Sequence, residues 1–395
     1  MTKQSEFDVV VVGGGPCGAT AADDLARQGY RVALMDKAGR IKPCGGAIPP
    51  RLMRDFDIPT HLLCAHATAA RMIAPSGKTV DMPIENGYVG MVNRDTFDEF
   101  LRERASASGA QRIRGEFSTI ERTADGQSHV HFVNETGTAQ SIRARYIIGA
   151  DGARSKVAKQ NIKGAGKIPC VFAYHEIIKI SDHVMADYDP SRCDVYYQGH
   201  LSPDFYAWIF PHGDTASIGV GSAHKGFSLR GAIKDLRAAS GFATYETVRT
   251  EGAPIPLKPL KRWDNGRDVL VAGDAAGVVA PSSGEGIYYA MACGREAATA
   301  VTEALKAGKV SALKHARKRF MKAHGKVFWV LGIMQHFWYR NDKRREKFVQ
   351  ICADPDVQYL TWQAYMNKEL VRAKPAAHAR IFFKDMGHLL GLSPT

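Results

Sequence analysis

The sequence predicts an α/β chain, α+β overall. It reads as a discontinuous parallel-sheet domain with an inserted antiparallel sheet and a helical C-terminal region. Three observations predict this. Residues 8–12 are an unbroken apolar run that stops at Gly13-x-Gly15-x-x-Gly18, and a helix-spaced set (Ala22, Leu25, Ala26) and a second strand ending at Asp36 follow. Two more buried strands, 145–150 and 268–272, end at Asp151-Gly152 and Gly273-Asp274, far downstream. Between them, from 170 to 263, strands dominate, and beyond about residue 305 the pattern is helical.

In chain order, residues 19–28 form the first helix, with Gly29 as its C-terminal stop. Residues 41–60 are rich in Pro and Gly and read as an extended loop. Strands 69–74 and 78–82 flank a Pro75-Ser76-Gly77 turn, and 93–108 is helical through Phe97, Phe100 and Leu101. Residues 111–143 suggest a meander. Strands are expected at 171–180, 194–197, 206–210 and 216–221, with one helix near 229–240 and a long one from Gly286. The expected domains are 1–68, 93–168 and 264–305 for the nucleotide-binding part, 69–92 and 169–263 for the inserted sheet, and 306–395 for the basic helical region.

The chain of 395 residues, 45% hydrophobic and 24% charged, has globular composition, which excludes disorder and fibre. Its net charge of +13 favours an anionic partner surface, and residues 306–395 carry +12 of it. The seven cysteines form no C-x-x-C pair and no cluster with histidine, so a reducing cytosol and no metal are expected. The polar start followed by a glycine-broken apolar run predicts no signal peptide. The longest later apolar stretch, 327–339, contains Gln335 and His336 and falls short of the ~20 residues that span a bilayer. No nucleic-acid docking motif is present, so nucleic acid is not expected as a partner. The sequence carries no reading of oligomeric state.

The glycines of the first motif serve different ends, with Gly13 allowing a tight turn, Gly15 the close approach of a pyrophosphate, and Gly18 helix–strand packing. Asp36 would take ribose hydroxyls. That much suits FAD or NAD. Asp274, within Gly273-Asp274-Ala275-Ala276-Gly277, could hydrogen-bond a sugar-alcohol chain, which NAD lacks, and so favours FAD. Pro281, Gly284, Gly286 and Ile287 open a helix whose N–H groups add donors. A Rossmann-type FAD-binding domain follows. With only one complete fingerprint, an NADPH donor would have to visit rather than reside.

With Asp151-Gly152 between the two glycine motifs, the chain resembles flavoproteins of the para-hydroxybenzoate hydroxylase superfamily. Lys42-Pro43-Cys44-Gly45-Gly46-Ala47-Ile48-Pro49 and Tyr206-x-Trp208-x-Phe210-Pro211, with Gly219-Val220-Gly221 after it, look like the signature loop and substrate motif of geranylgeranyl reductases. The likeness is closest to those acting on chlorophyll or bacteriochlorophyll. The resemblance implies bound FAD, transient NADPH, and saturation of three double bonds of a geranylgeranyl chain, on the pigment or as the diphosphate. It also implies a cytoplasmic enzyme peripherally attached to a photosynthetic membrane. The runner-up is an FAD-dependent hydroxylase, against which the Cys44 loop argues.

Cys44, Gly45, Gly46 and Ala47 are expected beside the flavin ring, and Arg94 at the FAD phosphates. Tyr206, Trp208, Phe210, Gly219 and Gly221 are expected to wall an isoprenoid. Because an isolated alkene must gain a proton with its hydride, Cys44 and Tyr206 are candidate proton donors; Cys44 as a packing residue is the alternative. His175 and His212 read as satisfied structural residues. In the C-terminal region Val327, Leu331, Met334 and Trp338 share one helical face. Lys322, Lys326, Arg340, Lys343, Arg344, Arg345 and Lys347 flank it, which suits either a core helix with a solvated end or a helix lying on anionic lipid.

Overall fold

The computed structural model describes residues 6–37, 41–85, 87–123, 127–180 and 187–368. Contacts group the chain into two interleaved units, Met1–Lys42 with Arg94–Val171 and Pro254–Phe328, and Pro43–Asn93 with Phe172–Ala253 and Trp329–Thr395.

In the first unit the strand Glu6–Val12 lies parallel between Val32–Asp36 and Ala139–Gly149. Gln111–Arg122 extends the sheet beyond Val32–Asp36, and Val269–Val271 extends it beyond Ala139–Gly149, both in parallel. Ser128–Asn134 runs antiparallel to both Gln111–Arg122 and Ala139–Gly149, closing the expected meander. Val9, Val10 and Val11 are buried completely, as an unbroken β-branched run covered on both faces requires. Helix Pro16–Ala26 buries every residue except Asp24. It packs on helices Arg94–Ala107 and Ile287–Ala307, and a side chain on Gly294 would overlap the Cys17 carbonyl. Phe320 packs against Trp263 at a tilt and edge-on to Tyr289, which brings the start of helix Lys314–Trp338 into this unit.

The second unit is built on a seven-stranded sheet in the order Thr247–Pro256, Cys170–Lys179, Thr215–Ser222, Ala207–His212, Arg192–Tyr196, Ala69–Ile73, Thr79–Pro83. Its middle is antiparallel as expected, but Arg192–Tyr196 pairs with Ala69–Ile73 in parallel. One face, through Ile178, Ala207, Ile209, Ile218 and Val220, packs on Ala232, Ile233 and Leu236 of helix Leu229–Ala239.

The grouping places residues 254–263 in the first unit and departs from the expected domains in two larger places. Residues 41–60 are not one extended loop. Ala47–Ile48 pairs with Val89–Val92, which also pairs with Leu63–Ala67, and helix Pro50–Asp55 lies between. This small sheet draws residues 43–68 into the second unit, because pairing partners more than forty residues apart decide membership rather than local composition. The basic helical region is likewise divided, at Phe328. Its described helices beyond Lys314–Trp338 are Asp342–Ile351 and Pro355–Asn367.

Candidate active site

The three motif glycines occupy three different environments. Gly13 has φ +109, and a side chain there would overlap the Ala150 carbonyl. Gly18 abuts the Gly13 carbonyl, so helix and strand could not close with a larger residue. A side chain on Gly15 would meet nothing within 4 Å. Gly15 caps helix Pro16–Ala26 without a side-chain partner for the first N–H groups. An open position at a helix N-terminus fits the pyrophosphate of a dinucleotide, where N–H groups and the helix dipole favour an anion. Gly14, at a variable position of the motif, is also needed, because a side chain would sit 2.7 Å from the Asp36 carboxylate.

Asp36 ends its strand at this turn. Arg102 stands 3.3 Å from it and also donates to the Gly14 carbonyl at 3.2 Å. Burial raises the Asp36 pKa, with Arg102 opposing. Asp151 accepts from Ser155 Oγ at 2.5 Å and from the N–H groups of Lys156 and Val157, so it holds the start of helix Lys156–Asn161. Burial raises its pKa in spite of those donors. Arg94 is buried, and its guanidinium is bidentate to Asp98 at 2.9 and 2.7 Å.

Asp274 is buried and receives Lys42 Nζ at 2.5 Å. The pair joins residues 232 positions apart, so nothing in the sequence around Lys42 names its partner. Gly273 and Gly277 both hold positive φ; side chains there would press on Cys17 and overlap the Lys258 carbonyl. Pro281 is buried, Gly284 has φ +65 and donates to the Ala280 carbonyl, and Gly286 caps helix Ile287–Ala307 with Ile287 buried in its first turn. A side chain on Gly286 would lie 3.8 Å from Asp274 Oδ1, so carboxylate and helix start are neighbours.

In the second unit the other expected residues gather on one sheet face. Tyr206, Trp208 and Phe210 form a row with ring centroids 5.9 and 6.2 Å apart, on the face away from helix Leu229–Ala239. Tyr206 also stacks on Phe205 at 4.3 Å and lies near Tyr197, which in turn contacts Tyr339 and Phe348. Those three lie nine or more residues from Tyr206 along the chain, so no local pattern around it names them. Gly219 faces Trp208 across the strands, and any side chain there would overlap the indole. The Gly221 N–H donates to the Tyr206 carbonyl, and its own carbonyl accepts from Ser202.

The Cys44 loop sits at the Phe210 end of the row. A side chain on Gly45 would be 2.9 Å from the Phe210 ring, and one on Gly46, at φ +72, would be 2.5 Å from His212. Both glycines are therefore required by the chain's own rings, whatever else approaches the loop. His212 Nε2 lies 3.1 Å from the Gly45 carbonyl, and its Nδ1 lies 3.5 Å from Cys64 Sγ. Burial lowers the His212 pKa to about 4, so it is a neutral donor to Gly45. Cys44 is half-buried and its sulfur accepts from the Gly46 N–H at 3.4 Å; Ala47 begins the short strand beyond it.

A parallel sheet with an open glycine turn at the first helix, and a carboxylate at a second helix start, is the frame of an FAD-binding oxidoreductase. Residues 6–168 match the FAD binding domain family. The chain is 58% identical to the geranylgeranyl diphosphate reductase of Rhodobacter capsulatus over 98% of its length and 99% of that protein. It is 36% identical to the geranylgeranyl diphosphate reductase of Synechocystis over 97% of each. The chain belongs to the geranylgeranyl reductase family. Among solved structures, a geranylgeranyl bacteriochlorophyll reductase-like protein from Thermoplasma acidophilum superposes with a TM-score of 0.81 at 22% identity, covering 94% of this chain and 99% of that one. A flavin-dependent brominase superposes at 0.75 with 16% identity, covering 97% and 99%, which shows that the frame is shared across flavoprotein chemistries.

Proposed function

We propose that the protein saturates three isolated double bonds of a geranylgeranyl chain to phytyl. The substrate is carried on bacteriochlorophyll or chlorophyll, or is the free diphosphate, and NADPH is a visiting donor. When bound, FAD supplies two-electron transfer from the nicotinamide to the alkene. The observation that carries the reading is the aromatic row Tyr206–Trp208–Phe210 with the Cys44 loop at its end, in a chain whose first unit has an open dinucleotide turn. Large flat apolar walls suit an isoprenoid, which offers no polar handle along its length. Gly13, Gly15 and Gly18 would admit the pyrophosphate, Asp36 the ribose, and Lys42 with Asp274 the polar part of the flavin end. Cys44, in the loop at one end of the row, and Tyr206, at the other end, are the candidate donors of the proton that must accompany each reduction. Tail chemistry of this kind also places the protein at a membrane surface, and among the described residues no helix is long and apolar enough to cross one.

The test is anaerobic incubation of the FAD-loaded protein with NADPH and geranylgeranyl diphosphate, or the geranylgeranyl pigment, in deuterated buffer. Stepwise gain of hydrogen pairs is expected, with one solvent deuterium per saturated bond from the proton donor and a second wherever the flavin N–H exchanges before transfer. Oxygen-dependent gain of an oxygen atom would identify a hydroxylase instead.

A further inference from the structure

Behind the aromatic row runs a line of buried polar groups that the proposed reaction does not use. Trp208 Nε1 donates to Ser217 Oγ at 3.1 Å, Ser217 Oγ lies 2.9 Å from His175 Nδ1, and His175 Nε2 lies 2.9 Å from Glu251 Oε2. Arg249 closes the line at 2.6 Å from Glu251 Oε1. Trp208, Ser217 and His175 are all buried.

With a charged Glu251 carboxylate, which the Arg249 ion pair supports, only one hydrogen arrangement satisfies the line around an imidazole carrying a single hydrogen. An indole N–H can only donate and the Glu251 carboxylate can only accept, so with one ring hydrogen, held on Nε2, the Ser217 hydroxyl accepts from the indole and gives its own hydrogen to His175 Nδ1. His175 then carries hydrogen on Nε2 and gives it to the carboxylate. The sheet register makes the line possible: His175, Gly219 and Trp208 are successive cross-strand neighbours, and the bare Gly219 lets the indole lean over it toward His175, with ring centroids 6.3 Å apart. The indole is thus held at its N–H by the polar line and bedded on Gly219. A Trp serving only as filler needs one acceptor; here the acceptor is itself held by a histidine that is held by an ion pair.

We propose that Ser217 and His175 are positioning residues that fix the pitch of the Trp208 indole, and that this pitch sets how far an isoprenoid advances along the row and hence how many of its double bonds are reduced. The proposal rests on the reductase reading above. Loss of the line frees the indole to rotate, so the chain should stop at partly reduced registers.

The experiment uses the full chain with FAD, labelled with 5-fluorotryptophan. The five tryptophans give five fluorine resonances, and Trp208→Phe identifies the one in question. Ser217→Ala and His175→Leu should shift and broaden that resonance alone, while His175→Asn, which keeps an acceptor near the place of Nδ1, should restore it. With geranylgeranyl diphosphate, the ratio of partly to fully reduced product should rise at least about fivefold in Ser217→Ala and His175→Leu and return toward wild type in His175→Asn, with FAD affinity changed less than about twofold throughout. A Trp208 resonance indifferent to Ser217→Ala would overturn the line itself. A shifted resonance with wild-type product ratios would overturn its role in specificity. A wild type that reduces no isoprenoid would overturn the reductase reading, and the proposal with it, even where the resonance shifts as expected.

Discussion

Gly15 and Gly18 are three residues apart and chemically identical, yet they face opposite constraints. Gly15→Ala meets no neighbour and has φ −73, so the apoprotein should melt within about 0.5 kcal/mol of wild type, while FAD affinity, read by flavin fluorescence, falls at least about tenfold. Gly18→Ala should instead lower stability by several kcal/mol, roughly 2–4, because its methyl group overlaps the Gly13 carbonyl. Equal losses of stability would remove the distinction between a ligand-facing and a packing glycine. His212 gives a pH prediction. Its pKa is about 4 in the folded chain against 6.5 for an ordinary histidine, so between those values the unfolded chain binds the extra proton. Its contribution to stability is therefore complete above about pH 6.5, declines as pH falls, and is lost through about pH 4, for a total of roughly 3 kcal/mol. His212→Gln can still donate to Gly45 but does not titrate, so its urea midpoint should fall less steeply than that of wild type between pH 6.5 and 5. Parallel slopes would show that the buried imidazole titrates normally.

At the scale of elements, helix Lys314–Trp338 separates two roles that its sequence blends. Trp338 and Phe328 are buried, whereas Lys322, Lys326, Trp329, Ile333 and His336 recur every three or four residues on the exposed side, with Trp329 69% and Ile333 48% exposed. The face shared by Val327, Leu331, Met334 and Trp338 lies on the covered side, half-buried to buried. Trp329→Ser with Ile333→Ser should abolish co-sedimentation with anionic vesicles, and Lys322→Glu with Lys326→Glu should weaken it by about 1 kcal/mol per residue and remove most of its salt dependence. Unchanged binding by both variants would leave the stripe a solvated surface. Arg345 belongs to neither set: it is 1% exposed and bonds Asp342, the Tyr339 carbonyl and the Pro203 carbonyl. In the sequence it is one cation in a basic run, because a local pattern cannot show that a charge is folded inward. The same limit explains the rest of what was and was not legible. The strands ending at Gly13, Asp151 and Gly273 announce themselves through unbroken apolar runs, and the aromatic row through its period of two. The two-residue strand Ala47–Ile48, the parallel pairing of Ala69–Ile73 and the Lys42–Asp274 pair rest on partners far along the chain, and no local period encodes them.

For the molecule as a whole, the outstanding fact is how the chain is divided: each unit takes three segments, and the first unit is completed only by its last. The Ala139–Gly149 edge of the first sheet waits for Val269–Val271, and helix Pro16–Ala26 waits for Ile287–Ala307 to cover it. The second sheet must join Ala69–Ile73 to Arg192–Tyr196. A fragment of residues 1–253 should therefore neither melt cooperatively in its first unit nor bind FAD, in contrast to the full chain, as read by thermal unfolding and flavin fluorescence. A fragment that did both would show that the late segments only decorate an already stable core. The interleaving also bears on how the protein is made. Synthesis runs from the ribosome at roughly 5–20 residues per second, so the glycine helix spends on the order of ten seconds or more with its apolar face uncovered before its partner emerges. Nascent chains of this design are clients for a holding chaperone, and the hazard arises from the order of the segments rather than from any weakness of the finished cores.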